Sequence, residues 1–433
     1  MRRAAATVAA LTALATVALP IPAFSPAPAS AHVATQQRPR NCAQPGPVIT
    51  TIPWQQRLLD PERIWPLTDG SGVTVAVLDS GVEAAHPQLT GVVERGADFL
   101  FDDGGGRADD DCSGHGTAVA SIIAAQRISG VGFHGFAPGA RILPVRISEE
   151  ETAGDGDDDN TVSPSEFAEA IRWAADQPGV QVINLSVIVL QDHPDIAEAV
   201  QYALDRDIVI VAAVGNLYEE GNPTPYPAAY PGVIGVGAVS ETLERVSESQ
   251  VGNYVDLVAP GANIIAASRP LGHLSYTGTS FATAFVSATA ALIRSYRPDW
   301  TAEQVAQQLM FTASPISGAW PTQQYGHGLL DPYRAVTEEI DPSGEPVAQP
   351  ALSTPPPDPA VVAQQKHDAW TRRIALGIGG GILGLAVIII AAAALLPRGR
   401  ARRWRPGRYV PLPSDPPSLP AGITLFEKPP RQS

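Results

Sequence analysis

From Val73 onward the chain repeats one pattern, a short apolar run followed by a longer stretch with helical spacing. The apolar runs fall at 73–78, 142–147, 182–185, 208–214 and 233–239. Helical stretches fall at about 115–125, 167–175 and 197–204, with two more after Thr279 and Thr301. Strands this poor in polar residues have to be covered on both faces, and the intervening helices supply the cover. The expected fold is therefore α/β, in three layers, with a mainly parallel central sheet flanked by helices. Such sheets bind ligands outside the carboxyl ends of their strands. Asp79 and Asn216 each close an apolar run and so fall at such ends.

Two further residues join Asp79. His115 stands in Ser113-Gly114-His115-Gly116-Thr117, and Ser280 in Ser275-Tyr276-Thr277-Gly278-Thr279-Ser280-Phe281-Ala282-Thr283-Ala284. The second stretch is a small-residue turn that runs into an Ala/Val/Ile-rich helix. The Ser280 hydroxyl then sits in the first helical turn, among free backbone N–H groups at the positive end of the dipole, a place that stabilises an oxyanion. Taken singly, each residue has a plainer reading. Thr279 or Ser280 serves as an N-cap, Asp79 as a turn residue and His115 as part of a loop. The chain order Asp, His, Ser changes the balance, because it is one of three orders in which a serine-histidine-acid triad occurs. In that chemistry the serine attacks a carbonyl carbon, the histidine takes its proton and later gives it to the leaving amine, and the acid orients the imidazole.

The segments Val77-Leu78-Asp79-Ser80-Gly81-Val82, Gly114-His115-Gly116-Thr117 and Gly278-Thr279-Ser280 resemble the three signatures of the subtilisin-like serine proteases, or subtilases, and the likeness runs from about Gly72 to Val336. With its flanking segments the chain is similar to the mycosins, membrane-anchored subtilases associated with type VII secretion in actinobacteria. The resemblance implies a serine endopeptidase with no cofactor and no metal in its site. It implies further that the amide of Asn216 and the backbone N–H of Ser280 form the oxyanion hole. By the same likeness Asn184, Leu185 and Ser186, with Ala213, Val214 and Gly215, wall the primary specificity pocket, although core packing equally explains Leu185 and Val214. Two positions depart from the family pattern, Ala284 where Pro is usual and Val187 where Gly is usual.

The flanks place this domain. Residues 1–31 combine Arg2-Arg3, a short apolar run and Ala29-Ser30-Ala31, the grammar of a cleaved secretory signal. Residues 32–70, rich in Pro, Gln and Thr, read as an extended arm wrapped on the peptidase domain, 71–340, and are too few for a separate folded prodomain. In an exported chain the only two cysteines, Cys42 and Cys112, most simply form one disulfide, which ties the arm beside His115; a second nucleophile at Cys112 is the alternative. The acidic runs 102–111 and 149–159 read as solvated loops. Asp155, Asp157, Asp159 and Glu166 have the spacing of a calcium loop, but Asn160 stands at its turn glycine.

After a Pro-rich spacer, 341–373, the uncharged segment 374–396 exceeds the roughly 20 residues that cross a bilayer. Six arginines between 398 and 408 then mark the tail, 397–433, as cytoplasmic and put the peptidase domain outside. The net charge of −15 excludes nucleic acid as a partner of the folded part. Expected partners are a peptide substrate, the membrane and the subunits of a type VII complex. A structural role in that complex, kept open by the Gly377/Gly381 and Gly380/Gly384 pairs in the span, is the competing function.

Overall fold

The computed structural model describes residues 42–102, 104–149, 160–316 and 321–338. The expected signal 1–31, the start of the arm, most of the second acidic loop, the spacer 341–373, the apolar span 374–396 and the tail 397–433 lie outside them. Among the described residues no helix is long and apolar enough to cross a membrane.

Seven strands make one parallel sheet: β1 (Thr74–Asp79), β2 (Ala97–Asp98), β3 (Arg141–Arg146), β4 (Val180–Leu185), β5 (Val209–Ala213), β6 (Ile234–Val239) and β7 (Leu257–Pro260), in the order β2-β3-β1-β4-β5-β6-β7. Alternate residues of one strand serve two separate cores, as a strand buried on both faces must. Val75 and Val77 of β1 enter one, Ala76 and Leu78 the other. The first core is covered by α2 (His115–Ala124), α5 (Thr279–Tyr296), α6 (Ala302–Thr312) and α7 (Pro332–Thr337), the second by α3 (Pro164–Ala175) and α4 (Pro194–Leu204). The three-layer α/β expectation is met. The chain winds outward from β1 in both directions, so the crevice beyond the carboxyl ends of β1 and β4 is where a ligand belongs.

The helix α5 holds the assembly together. Every residue from Thr279 to Arg294 is buried, and the helix packs on β1, β4, β5, β6 and β7 as well as on α2, α6 and α7. Its Ala, Ser and Thr residues make that closeness possible. Their hydroxyls are absorbed locally, Thr283 and Thr289 donating to the carbonyls of Thr279 and Phe285, and Ser287 to Asn184 Oδ1 at 2.8 Å.

Residues 42–53 run extended along the hairpin of β8 (Ile264–Ala267) and β9 (His273–Tyr276): Gly46 N–H donates to Leu271, and His273 N–H to Pro47. The chain then turns into α1 (Trp54–Leu59) and a 3₁₀ turn, Pro61–Arg63, where sequence reading expects only extension. Leu59 and Ile64 reach the first core. Cys42 and Cys112 are bonded across a separation of 70 residues, a closure worth about 4 kcal/mol in the loop-entropy account.

Candidate active site

β1 carries Asp79 to the crevice, with its side chain 2% exposed, and α2 begins on His115. Asp79 Oδ1 accepts from Ser80 N–H at 2.7 Å and lies 2.7 Å from His115 Nδ1. An imidazole that gives its Nδ1 proton to a carboxylate keeps its lone pair on Nε2. The approach depends on Gly116, where a Cβ would lie 2.1 Å from the Gly81 carbonyl oxygen and 3.0 Å from Asp79 Oδ1.

Ser280 is the second residue of α5, so its N–H has no carbonyl one turn back inside the helix. Its hydroxyl donates to the Ser186 carbonyl, just past β4, at 3.2 Å. The next ring, Phe281, lies 5.1 Å from that of His115 and 5.1 Å from that of Tyr276, which ties the start of α5 to the imidazole. Asn216 follows β5, and its Oδ1 accepts the N–H of Thr279 at 3.0 Å, so its amide nitrogen points away from that bond. Gly215 donates to Thr279 Oγ1 at 3.1 Å, and its φ of +88° favours glycine.

The fold thus brings Asp79, His115, Ser280 and Asn216 to the carboxyl ends of neighbouring strands. The residues expected as pocket walls arrive there mainly as backbone. Leu185 and Val214 are spent on the second core, and Ala213 is buried. Asn184 is fully buried, donating to Ser186 Oγ at 2.9 Å while accepting from Ser287. The side chain of Asn184 therefore ties β4 to α5.

The first acidic run holds a surprise. Sequence reading takes Asp109-Asp110-Asp111 as solvated, but Asp111 has no exposed surface. Its Oδ1 accepts from Ser80 Oγ at 3.0 Å and Gly114 N–H at 2.8 Å, and its Oδ2 from Thr117 N–H at 2.9 Å and Thr117 Oγ1 at 2.6 Å. Ser80 Oγ also accepts from Gly116 N–H at 2.9 Å. Burial pushes the Asp111 carboxyl up to about 6; the Thr117 and Gly114 bonds oppose this, and the charge of Asp79 adds to it. Glu149 is pushed to about 7 by burial and by Asp111, against the pull of Arg146. Arg146, itself buried, pairs with Asp98 and Asp110. The signal available in sequence was an acid three residues ahead of Gly114, the residue before α2, near enough to reach N–H groups at a helix start.

Among the described residues no group of three or more His, Cys, Asp and Glu side chains is placed to hold a metal ion. Asp155, Asp157 and Asp159 of the calcium-like run lie outside the described residues, and its Glu166 closes the capping box of α3 with Ser163.

The subtilase family profile matches residues 70–328. A thermophilic serine proteinase of Bacillus sp. (strain AK1) is 38% identical over 275 residues, which cover 63% of this chain and 64% of that protein. Subtilisin Savinase of Lederbergia lenta is 36% identical over 262 residues, 60% of this chain and 90% of its own. Among solved structures, MycP1 from the ESX-1 type VII secretion system superposes with a TM-score of 0.61 at 28% identity, covering 72% of this chain and 94% of that one.

Proposed function

The chain belongs to the subtilase family of serine endopeptidases, and from that premise we propose that Ser280, His115 and Asp79 are its catalytic triad, with Asn216 in the oxyanion hole. The observation that carries the assignment is the 2.7 Å contact between His115 Nδ1 and Asp79 Oδ1, with Phe281, the neighbour of Ser280, against the same imidazole. His115 Nε2 takes the Ser280 proton as Oγ attacks the scissile carbonyl carbon. The tetrahedral oxyanion is met by the Ser280 N–H and the amide of Asn216. His115 then protonates the leaving amine, and water repeats the sequence on the acyl-enzyme. Leaving the Ser186 carbonyl for the imidazole is a rotation of the Ser280 hydroxyl, and it accompanies substrate binding.

The site faces outside the cytoplasm, with the chain tethered by 374–396, and its substrate is a protein exported by a type VII system. The likeness to MycP1 and the order of signal, arm, spacer, apolar span and arginine tail support this reading. The test is fluorophosphonate labelling of the full chain beside its Ser280→Ala variant. Labelling of the parent alone is expected; equal labelling of both, or of neither when the disulfide is intact, sinks the assignment of Ser280.

A further inference from the structure

We propose that Asp111 is a positioning residue for the reaction, holding the His115 imidazole in place and strengthening it as a base through Ser80 and the first turn of α2. The inference rests on the triad reading above and extends it to a second carboxylate.

The geometry is a bridge of two arms. Ser80 is fixed from both sides, its N–H on Asp79 Oδ1 and its hydroxyl on Asp111 Oδ1. The Asp79 oxygen that receives Ser80 is the one in contact with His115 Nδ1. On the other arm, Asp111 takes the N–H groups of Gly114 and Thr117, on either side of His115 at the start of α2. The imidazole is therefore held through its own ring by Asp79 and through its backbone by Asp111, with Ser80 joining the two carboxylates.

Burial with no exposed surface is costly for a carboxylate, and a residue needed only to start α2 could be a serine or an asparagine. What a neutral cap cannot supply is negative charge in a low-dielectric site beside a group that becomes cationic during the reaction. The other charged or titratable groups around this point are Asp79 on β1, Glu149 and Arg146 at the end of β3, and Tyr276 on β9. The ion pair of Glu83 with Arg269 lies beyond Thr117, whose hydroxyl accepts the Glu83 N–H at 2.9 Å. Arg146 is already engaged by Asp98 and Asp110, and Arg269 by Glu83. Neither cation is left to cancel Asp111.

The decisive measurement is the pKa of His115, read by NMR from the full chain carrying labelled histidine, in a Ser280→Ala background. Asp111→Asn keeps the shape of the side chain and removes the charge. Its expected effect is a His115 pKa lower by about half a unit or more, because an imidazolium with one fewer anion nearby is less stable. In the active protein the acidic limb of kcat/KM should move the same way, with kcat/KM lower by about 10-fold and KM little changed. Ser80→Ala leaves both carboxylates and breaks the bridge; it should lower kcat without moving the acidic limb as far. Asp256→Asn, at a partly buried acid just before β7, should leave the His115 pKa where it is.

An unchanged or raised His115 pKa in folded Asp111→Asn overturns the proposal. If that variant does not fold, Ser80→Ala decides, and unchanged kcat there overturns it instead. The NMR reading does not depend on proteolysis. A failure of the triad assignment, seen in the labelling experiment, is thus told apart from a failure of this one.

Discussion

Two helices start at the crevice, and their first turns are built in opposite ways. Each follows a glycine with no side-chain cap, Gly114 for α2 and Gly278 for α5, and each opens on residues of the candidate site. At α2 a buried carboxylate, Asp111, takes the N–H groups of Gly114 and Thr117. At α5 the partner is a neutral amide, Asn216, which takes the Thr279 N–H. A helix start is electropositive, so an anion placed there cancels it and a neutral amide leaves it standing. On the proposed roles, the base His115 is thus set in a negative environment that favours the imidazolium, and the nucleophile Ser280 in a positive one that favours the oxyanion. One fold supplies both signs from the same kind of element.

The sharpest way to break that contrast is to put an anion at both starts. Asn216→Asp should lower kcat by about 1000-fold or more, beyond the 100- to 1000-fold range known for losing one oxyanion-hole donor in a subtilisin. A loss no larger than that of Asn216→Ala would show that charge at α5 is unimportant. The reciprocal change, Asp111→Asn, is expected to cost only about 10-fold, since it acts through His115 and not on the reacting carbonyl.

Smaller still is the effect of removing the staple next to Asp111. A chain with both Cys42→Ser and Cys112→Ser should melt lower, with about 4 kcal/mol as the ceiling on the loss. Amide exchange should quicken at Gly114–Thr117 and stay slow at the start of α5; equal quickening at both would argue that the two ends are not held independently.

The smallest effect concerns a partly buried acid outside the crevice. Burial lifts Asp256 from its ordinary 3.8 to about 6, against a hydrogen bond from Gly235 N–H. A carboxyl whose folded pKa is raised contributes stability below its unfolded value and loses it as pH rises through the folded one. Asp256→Asn should therefore flatten the fall of Tm between about pH 4 and pH 6, and parallel curves for parent and variant would contradict it.

The α5 side of the contrast was the easier to read in the sequence. The small-residue turn before a long apolar helix announces itself, and so do the strands that end on Asp79 and before Asn216, because their apolar runs are nearly continuous. Elements lacking such runs escaped. The hairpin strand β9 leaves Leu274 and Ser275 exposed, β7 is four residues ending in Pro260, and α1 follows Pro53 with no capping side chain. Asp111 escaped for a different reason. Three consecutive aspartates look alike in sequence, yet their side chains differ: Asp109 is 17% exposed, Asp110 48% and Asp111 not at all. Part of that difference is decided by Ser80, 31 residues away, which no local pattern carries, and the rest by Gly114 and Thr117, three and six residues on. Asn184, placed in a pocket wall by resemblance, has a side-chain partner, Ser287, that lies 103 residues away and that no local pattern announces.

The central place of α5 also sets a clock. Asp79 and Ser280 are about 200 residues apart, so a ribosome working at 5–20 residues per second needs roughly 10–40 s to pass from one to the other. Throughout that interval the nascent chain has strands but not the helix that packs on β1, β4, β5, β6 and β7. A growing chain therefore carries the proposed base, His115, without the proposed nucleophile, Ser280, and on the proposed roles a chain that ends before residue 280 has no means of cutting its neighbours.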